Sequence, residues 1–374
     1  MSCAADLFER TDRLRNHRRV LQEILCSPEA LDYNLLFVDD ARFFKIFGDE
    51  APLRWRDRQH KNKDHTMRKP SPWTLCTVGH AALDHCFTIA DFPPAPTKTP
   101  ARHYQAISGG MAANASIAAV RLGATVRLHG AIGDDDAGDF LVRRLSESGV
   151  DCRQLQRVAG AASSVSAVVI DARGERQIFN HRGDALTRAT GLDTTVLAGC
   201  DVLMADPRWM PGALAALRWA RQAGVPSLLD GDLSPTQDLQ ALAALADWAV
   251  FSESGLAAFA PQATLADGLG AALASGAQLA AVTLGAHGVR WQRPGGPVKS
   301  LPAFPVQAVD TNGAGDVFHA ALAMAVARSL PDEDAMRFAC AAAALKCQRP
   351  GGVAHGPDCA EVEQMLAAQA AALT

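Results

Sequence analysis

The chain has 374 residues, 48% hydrophobic and 20% charged, with a formal net charge of -4. That balance is ordinary for a soluble α/β protein of one large domain or two medium ones, and it provides no global basic field for nucleic acid or a membrane surface, while leaving a local anion site open. Nine cysteines are scattered with no CxxC pair, which excludes a zinc knuckle or disulfide frame and suits reduced, buried thiols of a cytoplasmic protein.

Residues 1–70 are rich in Arg, Asp, Phe and His and close on the polar run from His60 to His65. They mix acids and bases from Asp6 to Arg19 without an apolar signal core. They read as an N-terminal extension, either a helical appendage or a segment upstream of an alternative start at Met67. Beyond Pro70, short β-like runs alternate with Ala/Leu-rich helical segments, the pattern of a parallel-sheet α/β fold. Strands are expected at Thr74–Val78 and, across the Pro-rich Phe92–Pro100 segment, at His103–Ile107. A helix at Ala112–Leu122, a strand near Val126–Ala131 and a helix at Ala137–Ser148 follow. Val165–Ile170 and Gln177–His181 flank a hairpin turn at Asp171–Glu175. Further units pair Val202–Ala205 with the helix Gly212–Ala223, then add strands at Ser227–Asp230 and Ala249–Ser252. Leu279–Leu284 and Val289–Gln292 bracket Gly285–Gly288. The last two helices are expected at Gly313–Arg328 and Asp332–Cys347. No apolar run reaches the roughly 18 to 20 residues of a membrane span.

The stretch Asp310-Thr311-Asn312-Gly313-Ala314-Gly315-Asp316 carries the clearest chemistry. A Gly-Ala-Gly turn opening a helix leaves backbone N–H groups converging on one point, and the helix dipole adds to them, making an anion site. Asp316, at the helix start, is placed to take a proton from an attacking hydroxyl, or to serve only as a cap. Gly109-Gly110-Met111-Ala112-Ala113-Asn114 is a second glycine turn into a helix, either a tight connection or a sugar-binding turn using Asn114. Gly133–Gly138 is an acidic turn without the alternating ligand spacing of a calcium loop.

In this order, the turn at 109–114, Arg121–Ala124, Gly133–Gly138, Thr283–Gly288 and Asp310–Asp316 resemble the motifs of ribokinase-like (PfkB-type) sugar kinases, from about residue 74 onward. The resemblance implies a ribokinase-like three-layer α/β sandwich over 71–374, with a small β-sheet lid near 85–107 and 165–182. It implies ATP and Mg²⁺, with Asp316 as catalytic base and Gly313, Ala314 and Gly315 as anion hole. Ser252, Thr283, Gly285 and Gly288 match nucleotide-contacting positions, and Asp84, Gly110 and Asn114 match sugar-contacting ones. Asp310 and Asn312, with Arg349–Gly352, match loops around a monovalent-cation site, hence K⁺. Where many members carry Asn-x-x-Glu near the metal, this chain has Ser252-Glu253-Ser254-Gly255, which leaves Glu253 or Asp232 for Mg²⁺.

Within the family, Ala205–Trp209, Arg221–Val225, Leu229–Asp232, Phe251–Glu253 and Ala344–Cys347 are most similar to the 6-deoxy-6-sulfofructose kinases. By that resemblance Lys98, Asn180 and Arg208 hold a sulfonate, and the partners are ATP and an anionic sugar, in a homodimer. A donor-rich cationic pocket suits a tetrahedral oxyanion, and a lid lysine adds charge on closure. Each residue also has an ordinary reading: a solvated Lys98, a strand-end Asn180, and an Arg208 paired with Asp206. Asn114 is usual in the wider family but differs from the sulfofructose enzymes. Three functions stay open: a sulfofructose kinase, a kinase of another sugar or phosphosugar, and a non-catalytic sensor.

Overall fold

The computed structural model describes residues 72–372, apart from Gly174. These belong to a compact unit running from Pro70 to Thr374. The extension expected over 1–70, with Met67, lies outside the described residues.

Nine strands form the main sheet in the order β13-β12-β11-β10-β9-β8-β1-β4-β5. They are β1 (Thr74–Val78), β4 (Thr125–Gly133), β5 (Leu155–Val158), β8 (Val202–Ala205), β9 (Ser227–Gly231), β10 (Trp248–Ser252), β11 (Leu279–Thr283), β12 (Val289–Gln292) and β13 (Lys299–Leu301). From β11 to β5 all pairings are parallel, while β12 and β13 add antiparallel edges. Alternate residues of one strand serve opposite layers, as a buried parallel sheet requires. Leu75 joins the core under α1 (Met111–Arg121), α2 (Asp136–Glu147), α8 (Ala314–Ala327) and α9 (Asp332–Cys347). Cys76 joins the other core, under α4 (Met210–Ala223), α5 (Thr236–Ala243), α6 (Glu253–Phe259) and α7 (Leu265–Ser275). The result is the expected three-layer sandwich.

The lid is a four-stranded sheet ordered β3-β2-β6-β7, from β2 (Ala82–Thr88), β3 (His103–Gly109), β6 (Ser164–Ile170) and β7 (Arg176–His181). The sequence reading had no separate strand over 82–88 in its chain order; β2 leaves β1 directly and returns through β3. Short α3 (Ala185–Arg188) leads back to the main sheet, and α10 (Cys359–Ala372) is a further helix after the expected last two. No helix among the described residues is long and apolar enough to cross a membrane.

Candidate active site

In an open parallel sheet, loops at the carboxyl ends of the strands gather on one side and form the binding crevice. Here the residue after β8, Asp206, ties three such segments together. Its fully buried carboxylate accepts N–H groups of His80 (2.8 Å), Ala112 (3.1 Å) and Arg208 (2.8 Å). The loop after β1 and the first turn of α1 are thus fixed to the end of β8. Gly110, at φ 93°, begins α1 where an added Cβ would lie 2.6 Å from the His80 carbonyl oxygen, so only glycine fits.

Across the crevice, Gly313 begins α8 at φ 75°, where a Cβ would meet Val353 Cγ1 at 2.4 Å. The N–H of Ala314 turns back to the Thr311 carbonyl, while those of Gly315 and Asp316 make no hydrogen bond to any described residue. Two free donors at the positive end of a 14-residue helix form an anion hole. Asp316 Oδ2 accepts the Asn114 side-chain amide at 2.8 Å, so α8 and α1 meet at the carboxylate expected to act as base.

That carboxylate sits in an acidic, half-buried setting. Burial, then the charge of Asp230, push Asp316 up to about 8 against the pull of the Asn114 hydrogen bond. Burial likewise raises Asp230 well above the carboxylate range, with Asp206 and Asp232 adding to it. Behind the hole, the buried His319 ring reaches the Gly315 carbonyl (2.8 Å), the Val250 carbonyl (3.3 Å) and Asp230 Oδ1 (3.5 Å). Burial holds His319 below its ordinary range, so a neutral ring braces the backbone of the anion hole.

The lid contributes a polar row. Asp84 in β2 lies opposite Ser166 in β6, which lies opposite Asn180 in β7. Directly opposed residues share one face, and Asn180 donates to Ser166 Oγ at 3.0 Å. The Asp84 carboxylate lies against Gly109, where a Cβ would overlap it. Burial raises the Asp84 pKa despite the Ser166 hydrogen bond. The register therefore brings Asp84 and Asn180 to one surface beside the turn that carries Gly110 and Asn114. Lys98 is exposed in the β2–β3 connection and makes no hydrogen bond or ion pair to a described residue. Arg208 is at the crevice, but its guanidinium is engaged. It donates to the Leu233 carbonyl (3.0 Å), Ser234 Oγ (3.2 Å) and Asp232 Oδ2 (3.3 Å). The pairing considered with Asp206 is made by the Arg208 backbone N–H instead.

Ser252 and Thr283 end the adjacent strands β10 and β11 as register partners. Ser252 caps α6 through Gly255 N and donates to Asp232 Oδ1 at 2.9 Å. Thr283 leads into a short turn, Gly285–His287; Gly285 is open, and a Cβ at Gly288 would strike the Leu301 carbonyl. Asp232 and exposed Glu253 follow neighbouring strands, and no group of three or more metal-ligating side chains occurs among the described residues. Mg²⁺ that arrives on nucleotide phosphates needs only one or two carboxylates and its own waters, so this pair fits such an ion.

Sequence reading singled out Asp310 and Asn312 but missed the side chain that faces Asp310. Lys346, on the last turn of α9, is fully buried. Its Nζ donates to the Asp310 carbonyl (2.8 Å) and the Arg349 carbonyl (3.5 Å), and lies 3.2 Å from Asp310 Oδ2. Asp310 also accepts the N–H of Asn312 (2.8 Å) and Gly352 (3.1 Å). Burial alone would raise its pKa, but these N–H groups and the Lys346 charge lower it. Asp206, Asp230 and His319 were missed as well. A single polar residue in an apolar run, as His319 and Lys346 both are, was the one available signal.

The sequence profile described as pfkB family carbohydrate kinase matches residues 74–359. The ribokinase of Bacillus subtilis is 29% identical over 297 residues, covering 78% of this chain and 99% of its own. A ribokinase-type structure from Agrobacterium tumefaciens superposes with a TM-score of 0.77 at 35% identity, covering 80% and 99% of the two chains. The Arabidopsis thaliana ribokinase complexed with ribose and ATP shares the fold at a TM-score of 0.70 and 24% identity, over 79% and 99%.

Proposed function

The chain belongs to the pfkB family of carbohydrate kinases, and from that premise we propose that it transfers the γ-phosphoryl group of ATP to a primary hydroxyl of a small ketose, 6-deoxy-6-sulfofructose, giving the 1-phosphate and ADP. The observation that carries the transfer is Asp316, a carboxylate with a raised pKa beside the two free N–H groups of the α8 terminus. Asp84 and Asn114 hold secondary hydroxyls. The primary hydroxyl faces Asp316, which accepts its proton as the oxygen attacks the γ-phosphorus in line. The Gly315 and Asp316 N–H groups meet the charge that collects on the transferred phosphoryl oxygens, and ADP leaves. Asp232 and Glu253 would hold Mg²⁺ through its waters, where it supplies neutralising charge to the phosphates. A base whose pKa lies near the working pH combines adequate ionisation with adequate proton affinity.

The sulfonated substrate is supported by the stretches around Arg208, Asp232 and Glu253 and by Asn180, which shares a lid row with Asp84. A second reading, a neutral ketose or ribose, is favoured by the tie of Arg208 to Asp232, which leaves Arg208 less free for an anion. Turnover across sulfofructose, fructose, ribose, fructose 6-phosphate and fructose 1-phosphate separates them. Use of neutral sugars alone would refute the sulfonate reading, and no turnover of any would favour a sensor. The other lid face, with Phe87, Tyr104 (51% exposed) and Phe179 (64% exposed), supports a homodimer closed through the lids. Light scattering at the monomer mass across micromolar concentrations would refute that.

A further inference from the structure

Where the resemblance implies a monovalent cation, at the loops Asp310–Gly313 and Arg349–Gly352, the Lys346 ammonium lies against oxygens of Asp310 and Arg349. We propose that the ammonium of Lys346 is a tethered replacement for that cation, so that this kinase holds its anion-hole loop without K⁺. Lys346 is completely buried, a costly place for an ammonium unless oxygen donors surround it. It meets the donors a hard cation would use: the carbonyl and carboxylate of Asp310 and the carbonyl of Arg349. It also sits at the negative end of α9, whose Cys347 carbonyl accepts the N–H groups of Val309 (2.7 Å) and Asp310 (3.1 Å).

The consequence reaches the reacting centre through a short backbone path. Asp310 Oδ1 fixes the N–H of Asn312, and the next residue, Gly313, begins the helix that carries the free donors and Asp316. Asp310 Oδ2 binds the Gly352 N–H, tying the second loop to the first. Val353, next to Gly352, packs against Gly313. Lys346 therefore acts as a positioning residue: it neutralises Asp310 and holds both loops without touching substrate.

The test is a cation exchange at constant ionic strength, with K⁺, Na⁺ or choline chloride, on the wild-type chain and on Lys346→Met. The wild type should keep its melting temperature, and its turnover of whichever panel sugar it accepts should stay within about twofold. Activation by K⁺ of tenfold or more, or a melting point that climbs with K⁺ alone, overturns the proposal. Lys346→Met should lose turnover about a hundredfold, mainly in kcat. Its melting temperature and turnover should then rise with K⁺ or ammonium but not with choline. A folded Lys346→Met that is fully active without K⁺, or that responds to no small cation, also overturns it. The melting measurements need no sugar and decide the matter even if every panel sugar fails, and the wild-type measurement decides it if Lys346→Met does not fold.

Discussion

Replacing Asp316 by Asn should abolish turnover and at the same time stabilise the fold. The substitution keeps an oxygen for the Asn114 amide, now 2.8 Å from Oδ2, but removes the proton acceptor. Loss of a positioned general base typically costs about 10²- to 10⁴-fold in rate. The stability effect follows from the raised pKa, about 8 in the fold against 3.8 for an ordinary aspartate. Below pH 4 the carboxyl is protonated in folded and unfolded chains alike and has no effect. Between 4 and 8 only unfolding releases the proton, so each rise in pH favours the unfolded chain. Above 8 the group is ionised in both states and the full cost is present. Asn escapes this, so the stability gap over wild type should open above pH 4 and level off near pH 8. Three pH units at about 1.36 kcal/mol each give a gap of at most ~4 kcal/mol at pH 7. At roughly 2 °C per kcal/mol for a long chain, that is a gain of several degrees. Coupled assay of ADP release gives the rate, and melting curves from pH 4 to 9 give the gap. Lost turnover with a lower melting temperature would reduce Asp316 to a structural cap, and retained turnover would remove it from the base role.

Three other outcomes are expected. Wild-type kcat/KM should fall about tenfold per pH unit well below 8, as Asp316 in the free enzyme takes up its proton; a rate flat from pH 6 to 9 would contradict this. Asp206→Ala should destabilise the fold by about 3 kcal/mol or more, because three N–H groups lose a buried acceptor at about 1–3 kcal/mol each; an unchanged denaturation midpoint would disprove the linking role. Arg208→Ala should raise KM for an anionic sugar about 10- to 100-fold, the worth of hydrogen bonds to a charged group, with little effect on a neutral one; an unchanged KM would show that Arg208 serves only the turn at Leu233 and Ser234.

What could be read in the sequence was what the backbone dictates. Gly110 and Gly313 occupy positive φ where a side chain would collide, so two glycine turns announced two sides of the crevice before any contact was known. The parallel strands were legible because burial on both faces makes continuous apolar runs, as in Val202–Ala205. β2 was not, since Asp84 and His85 stand together in its middle and break both the run and the alternation. Sequence also placed Arg208, Lys98 and Asn180 in one group by resemblance. In the fold, strand register joins Asn180 to Asp84, Asp232 holds Arg208, and Lys98 is exposed in the β2–β3 connection.

The residues that escaped notice owe their roles to partners distant in sequence. Asp206 meets Ala112 across 94 positions, and His319 meets the Val250 carbonyl across 69. Lys346 stands at the end of an Ala-rich helix, and a lysine is almost never fully buried unless paired. Asp310, 36 residues earlier, draws it inside. The motif from Asp310 to Asp316 thus has two halves with different supports. Its glycines and Asp316 follow from local geometry, while its first residue depends on a charge supplied by another helix. A substitution at Lys346 would leave every motif residue in place and still disturb the loop they form, which is why an intact motif alone does not establish an intact site.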